Sequence, residues 1–232
     1  MKTHEADILI VPGFMNSEEE HWQSRWQQKL STARRVWEPV MMDARREDWV
    51  AAVTKAVAEA QKPVVLVAHS LGVITIAHAA PAFTNRIAGA FMVAPSNVER
   101  DNLTPGIDRA FAPVPREKLP FRSVLVGSAN DPFCDLDKAR EFAGHWGAEF
   151  VDSGEHLADL PFEVIAGFAV ARQARRGDVD AVQRGDDAVH LVVQAAALVA
   201  RHVGQRLLPE HPALDELHHV ERAADHRLVL AQ

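Results

Sequence analysis

The run Pro63-Val64-Val65-Leu66-Val67 passes straight into Ala68-His69-Ser70-Leu71-Gly72, which passes straight into a helix-compatible stretch over 73–80. A short, wholly apolar run bounded by a turn reads as a strand buried on both faces of a parallel sheet. A strand that enters a helix through one tight turn leaves its apex residue, Ser70, clear of the sheet edge. The first amides of the helix, which lack intrahelical acceptors, then face the same space. Such a turn brings strand and helix backbones close together and favours the smallest residues at both shoulders. Gly72 satisfies this on one side, and Ala68 adds a single methyl on the other. The same letters also suit a plain serine N-cap for a helix over 71–80.

The rest of the first 155 residues repeats this alternation. Ile8-Leu9-Ile10-Val11, ended by Pro12-Gly13, is a second buried strand, and 36–42, 87–93, 121–126 and 148–151 are further strand candidates. Ser17-Glu18-Glu19-Glu20 has the spacing of a capping box, and Trp22, Trp26 and Leu30 follow at helical intervals. Asp48 can cap a helix bearing Val50, Val53, Val57 and Ala60. Asp135 can cap one over 136–146, and Gly147 suits its left-handed end. Strands and helices joined by short links predict an α/β fold, a doubly wound and mostly parallel sheet with helices on both faces. In such sheets ligands bind beyond the carboxyl ends of the strands. That rule collects Gly13-Phe14-Met15-Asn16, Ser70, Ala94-Pro95-Ser96-Asn97, Asn130-Asp131 and Glu155-His156 on one rim.

Composition narrows the function. A net charge of −7 argues against nucleic acid or an anionic membrane as the main partner. The single cysteine, Cys134, excludes an intrachain disulfide and fits a reducing compartment. The N-terminus has no secretory pattern, and no window holds ~18 apolar residues, so the cytoplasm is the expected location. A cysteine nucleophile at Cys134 lacks a surrounding sharp turn, and a structural thiol is the simpler reading. No metal-ligand spacing or cofactor motif stands out; His218-His219 and His226 read as a solvated face.

A serine hydroxyl stays protonated at neutral pH, so it attacks only with a base in reach and a carboxylate to orient that base. Asp131 follows the strand candidate at 121–126, and His156 follows the last one. Ser70, Asp131 and His156 therefore stand in an order suited to such a triad, each just past a strand. Asp131 also fits an Asp-Pro turn starter, and His156 an ordinary surface histidine. An oxyanion hole needs two backbone N–H donors. Leu71 offers one, and the loop after the first strand offers the other at Phe14 or Met15, with Gly13 permitting close approach. Met15 and His69 would shape the substrate pocket. The chemistry predicted is hydrolysis of a small ester or amide through an acyl-serine.

These residues in order resemble the retinoblastoma-binding-protein-nine-like family of small serine hydrolases. The likeness runs through Ile8–Gly13, Asn16-Ser17, His21–Trp26, Ala68–Gly72, Val93-Ala94-Pro95, Asn130–Cys134, Ala139-Arg140, Gly147-Ala148 and Val151–Glu155. It implies an α/β-hydrolase fold and a Ser-Asp-His triad. In that family alanine commonly precedes the His-Ser-Leu-Gly of the turn, which accounts for Ala68. The likeness covers residues 8–155 and stops abruptly. The family continues with Gly-His-Ile-Asn, whereas this chain has Glu155-His156-Leu157-Ala158.

Composition breaks at the same place. All five tryptophans lie at or before Trp146, all lysines at or before Lys138, and seven of twelve histidines at or after His156. The chain thus divides into a hydrolase domain over 1–155 and an atypical Ala/Arg/His-rich segment over 156–232, partly helical or disordered. A competing reading follows, that of a catalytically impaired binding protein on the same fold. Perhydrolysis on that fold is a third. The coincidence of lost motif and altered composition points to a shift of reading frame near codon 155. An alternative frame downstream of that codon is expected to encode Gly-His-Ile-Asn; reading the gene checks this, and its absence from both frames refutes the shift.

Overall fold

The computed structural model describes residues 5–37 and 43–154. Among the described residues six strands form one parallel sheet: β1 (Asp7–Val11), β2 (Ala33–Arg35), β3 (Val64–His69), β4 (Ile87–Val93), β5 (Ser123–Gly127) and β6 (Glu149–Asp152). Their order is β2-β1-β3-β4-β5-β6. The chain winds outward from β1 to β2, crosses back, and builds the other half of the sheet from β3 onward. The direction of winding therefore reverses between β1 and β3, and a crevice opens there at their carboxyl ends.

Each inner strand is apolar on both sides, and alternate residues serve two separate cores. One core combines Leu9, Val11, Leu66, Ala68, Met92 and Leu125 with helices α2 (Arg46–Ala58), α3 (Leu71–Ala79) and α4 (Leu136–Trp146). The other combines Ile8, Ile10, Val65, Val67, Phe91 and Val126 with helix α1 (Trp22–Lys29). Trp26 stacks on Phe91 at 6.2 Å and is flanked by Trp22 and Leu30, the stripe anticipated from helical spacing. This is the doubly wound α/β-hydrolase architecture. No helix among the described residues is long and apolar enough to cross a membrane.

Several local expectations hold. Asp135 caps α4 by accepting the Lys138 N–H at 2.8 Å, and Gly147 ends it with φ 67°. Three do not. The second strand is Ala33–Arg35 rather than 36–42, because its register is set by pairing with Ile8–Ile10; residues 38–42 lie outside the described residues. His21, not Ser17, caps α1, its ring nitrogen accepting the Gln23 N–H at 3.3 Å. Ser17 instead donates its hydroxyl to Gln23 Oε1 at 2.8 Å. Asp48 sits inside the first turn of α2, whose cap position is Arg45. A carboxylate there still complements the positive end of the helix. The segment assigned to 156–232 lies outside the described residues.

Gly72 is where the two halves of the sheet lock. A Cβ placed on it would lie 2.5 Å from the Val11 carbonyl oxygen and 2.6 Å from that of Pro12. Both obstacles are backbone and cannot swing aside. Gly72→Ala is expected to destabilise the fold by at least about 3 kcal/mol, the range of severe overpacking. Urea unfolding of the variant against wild type measures it.

Candidate active site

Ser70 stands between β3 and α3 with φ 54° and ψ −123°, a conformation side-chain-bearing residues rarely adopt. Its amide donates to the Val93 carbonyl at 3.0 Å, and its carbonyl accepts from Val73 at 3.0 Å. Its hydroxyl makes no capping bond to α3. The plain N-cap reading therefore fails, and the side chain is turned away from the helix it precedes. Gly13 abuts it: a Cβ there would fall 2.8 Å from Ser70 Cβ. The hydroxyl oxygen lies 2.9 Å from that of Ser96, in the loop after β4.

Ser70 opens into a cavity of about 700 Å³ at the carboxyl edge of the sheet. Phe14, Met15, His69 and Asp131 line the same cavity, so the chain brings together most of the residues anticipated for one site. Leu71 opens α3, where helix geometry leaves its amide without an intrahelical acceptor. His156 lies outside the described residues. Sequence reading placed Ser96 on this rim without a role, and missed Arg100 and the wall made by Leu103, Thr104 and Ile107. Those three belong to the loop between β4 and β5, which reads in sequence as a mere connection. Met15 and Phe133, the large apolar side chains most exposed among the described residues (54% and 49%), both line this cavity.

Strain gathers here. The described non-glycine residues with positive φ are Met15, Asn16, Ser70 and Ala94, and all four line this cavity. Such conformations cost of order 1 kcal/mol or more each and persist only where their surroundings enforce them. Two polar side chains do much of that enforcing. Gln23, fully buried, donates to the carbonyls of Val11 at 3.2 Å and Val67 at 3.1 Å, tying β1 to β3 just before both turns. Arg35, at the end of β2, donates to Asn16 Oδ1, to the Ser17 carbonyl at 3.1 Å and to Ser24 Oγ at 2.8 Å. The loop after β1 is thus held from below and from the side.

Asp131 sits in an Asx turn, its carboxylate accepting the Phe133 N–H at 2.8 Å. It is both a turn former and a wall of the cavity. Burial raises its pKa, against the lowering effect of the Phe133 and Cys134 amides and of Arg100. Arg100 braces this loop by donating to the Pro132 carbonyl at 2.9 Å and lying 5.2 Å over the Phe133 ring. The next loop is stitched on: the Ser128 hydroxyl and Ala129 amide both donate to the Gly154 carbonyl, at 2.7 and 2.9 Å. Burial, reinforced by nearby carboxylates, pushes the Cys134 thiol up to about 12, so it is an inert core thiol. His69 packs against His21 at 4.9 Å and Trp22 at 6.2 Å. Burial and then His21 lower it to about 3, while burial and then Arg35 lower His21 to about 4. Both rings are neutral at physiological pH.

A sequence model of a family described as serine hydrolase matches residues 8–159. No curated protein matches the sequence. Among solved structures, a YdeN-like hydrolase from Pectobacterium atrosepticum is similar with 28% identity and a TM-score of 0.57, over 66% of this chain and 79% of that one. Est1E from Butyrivibrio proteoclasticus, solved with ferulic acid bound, shares the fold at 13% identity and a TM-score of 0.53, over 68% and 84%.

Two measurements probe this architecture. Gln23→Leu keeps the bulk and removes both donors, so destabilisation of about 2–4 kcal/mol is expected by urea unfolding. For the histidines, the unfolded chain, titrating near 6.5, binds more protons than the folded one between about 6.5 and 3. Stability is therefore complete above pH 6.5 and falls as pH falls through that window. The thermal midpoint is expected to drop from pH 7.5 to 5.5, above the range of ordinary carboxylates, and less steeply in His69→Phe.

Proposed function

Since the chain belongs to the serine hydrolase family, we propose that it cleaves small carboxylic esters or amides through an acyl-Ser70 intermediate. The carrying observation is Ser70 itself, held at positive φ against Gly13 and opening into the cavity that Asp131 also lines. In the proposed reaction a base takes the Ser70 proton as Oγ bonds to the substrate carbonyl carbon. The carbonyl π electrons move to oxygen, where the amides of Leu71 and Phe14 stabilise the charge. Collapse expels the alcohol or amine, which leaves with the proton. Water then repeats the sequence on the acyl-serine and frees the acid.

His156 is the proposed base and Asp131 its orienter. The stitch between the Asp131 loop and Gly154 supports this pairing. Position 156 follows two residues later, a span that a chain crosses in at most about 7 Å. The likeness to retinoblastoma-binding-protein-nine-like hydrolases over residues 8–155 favours that branch of the family. A small-molecule substrate, rather than nucleic acid or membrane, suits the net charge. A cytoplasmic setting suits the single buried thiol. The loss of the related family's Gly-His-Ile-Asn where the likeness stops favours a second reading, a binding protein that keeps the fold without the base.

A fluorophosphonate probe separates the readings. Wild type is expected to be labelled at Ser70 and Ser70→Ala to be silent; a folded wild type that resists the probe supports the binding protein. In ester hydrolysis, Asp131→Asn and His156→Ala are each expected to lower kcat by about 10³-fold or more. Full activity in His156→Ala would remove that residue from the mechanism.

A further inference from the structure

We infer that Ser96 is a catalytic residue, a hydroxyl donor to Ser70 Oγ that stabilises the negative charge this oxygen carries in both halves of the reaction. The inference rests on the serine hydrolase reading above.

The geometry starts from the 2.9 Å contact between the two hydroxyl oxygens, made across 26 residues of chain. Ser96 is 8% exposed, so little water competes for it. Its position is fixed from three sides. Ala94, with φ 50°, turns the chain out of β4 while its amide donates to Val126 at 2.9 Å. The Ser96 carbonyl accepts the Val98 amide at 3.1 Å. The next residue, Asn97, donates its amide to the Phe133 carbonyl at 3.0 Å, in the Asp131 loop. Ser96 thus bridges the nucleophile and the loop of its acid.

Proton bookkeeping fixes the direction of the bond. A Ser70 hydroxyl that gives its proton to Ser96 holds none toward a base and is unreactive. One that points its proton at the base can only accept from Ser96. In the reactive arrangement Ser96 donates, and its own proton never leaves it. As the base removes the Ser70 proton and Oγ attacks, the Ser96 hydrogen bond strengthens with the charge on Oγ. In the acyl-enzyme Oγ is an ester oxygen, a weak acceptor. When water adds and the C–Oγ bond breaks, Oγ departs with the electron pair, held again by Ser96 until the base returns the proton. A donor that strengthens only as charge develops acts on kcat more than on KM.

The test compares wild type, Ser96→Ala and Ser96→Thr in p-nitrophenyl ester hydrolysis and in the rate of fluorophosphonate labelling at Ser70. Ser96→Ala is expected to lose about ten- to a hundredfold in kcat and labelling rate, with KM within about twofold, and Ser96→Thr to recover most of it. Should Ser96→Ala fail to fold, Ser96→Thr against the isosteric Ser96→Val carries the same comparison, Thr expected fast and Val slow. An alanine variant as fast as wild type, or faster, overturns the role of Ser96 and leaves the hydrolase reading standing. Equal losses in Ala and Thr (or in Thr and Val), concentrated in KM, assign Ser96 to loop packing and also overturn it. A folded wild type that resists the probe overturns both readings together.

Discussion

The structure hangs on a backbone-to-backbone contact. The carbonyls of Val11 and Pro12 press against the Cα of Gly72, and Gly13 presses against Ser70. Only residues without a Cβ allow strand β1 and helix α3 to meet there. That meeting sets the register between β1 and β3, aligning Val11 with Ala68. Both strands consequently end at the same height, and the loops that leave them share one cavity. The remaining strands extend a pattern this contact has already set: β4 beside β3, β5 beside β4, β6 beside β5.

Around the contact is a polar frame. Gln23 would be expected at the surface of an amphipathic helix, yet it is fully buried, because two strand-end carbonyls are available only there. Arg35 converts a short edge strand into a brace for the loop after β1. Both ties reach the turn-forming loops from the α1 side of the sheet. On the opposite side, α3 and its neighbours are packed almost entirely by aliphatic and aromatic side chains. Support by directional hydrogen bonds and support by non-directional packing are thereby divided between the two faces.

What the sequence made legible follows from the range of the forces involved. The buried strands read directly, since a parallel sheet needs apolar residues on both faces, and Ile8–Val11 and Val64–Val67 have little else. The α4 caps, Asp135 and Gly147, act within four residues and read equally well. Ser70 and Asp131 were legible as cavity-lining residues because each follows a strand, Ser70 directly after β3 and Asp131 four residues after β5. The Ser17 capping box was misleading for the converse reason: Gln23, a tertiary anchor, offers its amide oxygen to that hydroxyl. Strand Ala33–Arg35 escaped because edge pairing, not hydrophobicity, defines it. Ser96 was legible as a rim residue, but its pairing with Ser70 escaped because the two are 26 residues apart and the register of β4 on β3 alone brings them together.

The concentration of left-handed residues on one rim has a consequence for how such a chain tolerates change. Met15 and Ala94 occupy backbone conformations that glycine would adopt without penalty. The molecule forgoes that relief at the places where the cavity takes its shape. Thermostability engineering therefore has its obvious room at these two positions, and would exercise it against the contour and rigidity of the cavity wall. Robustness and recognition are set in opposition along this edge of the sheet, where all the described non-glycine residues of positive φ stand.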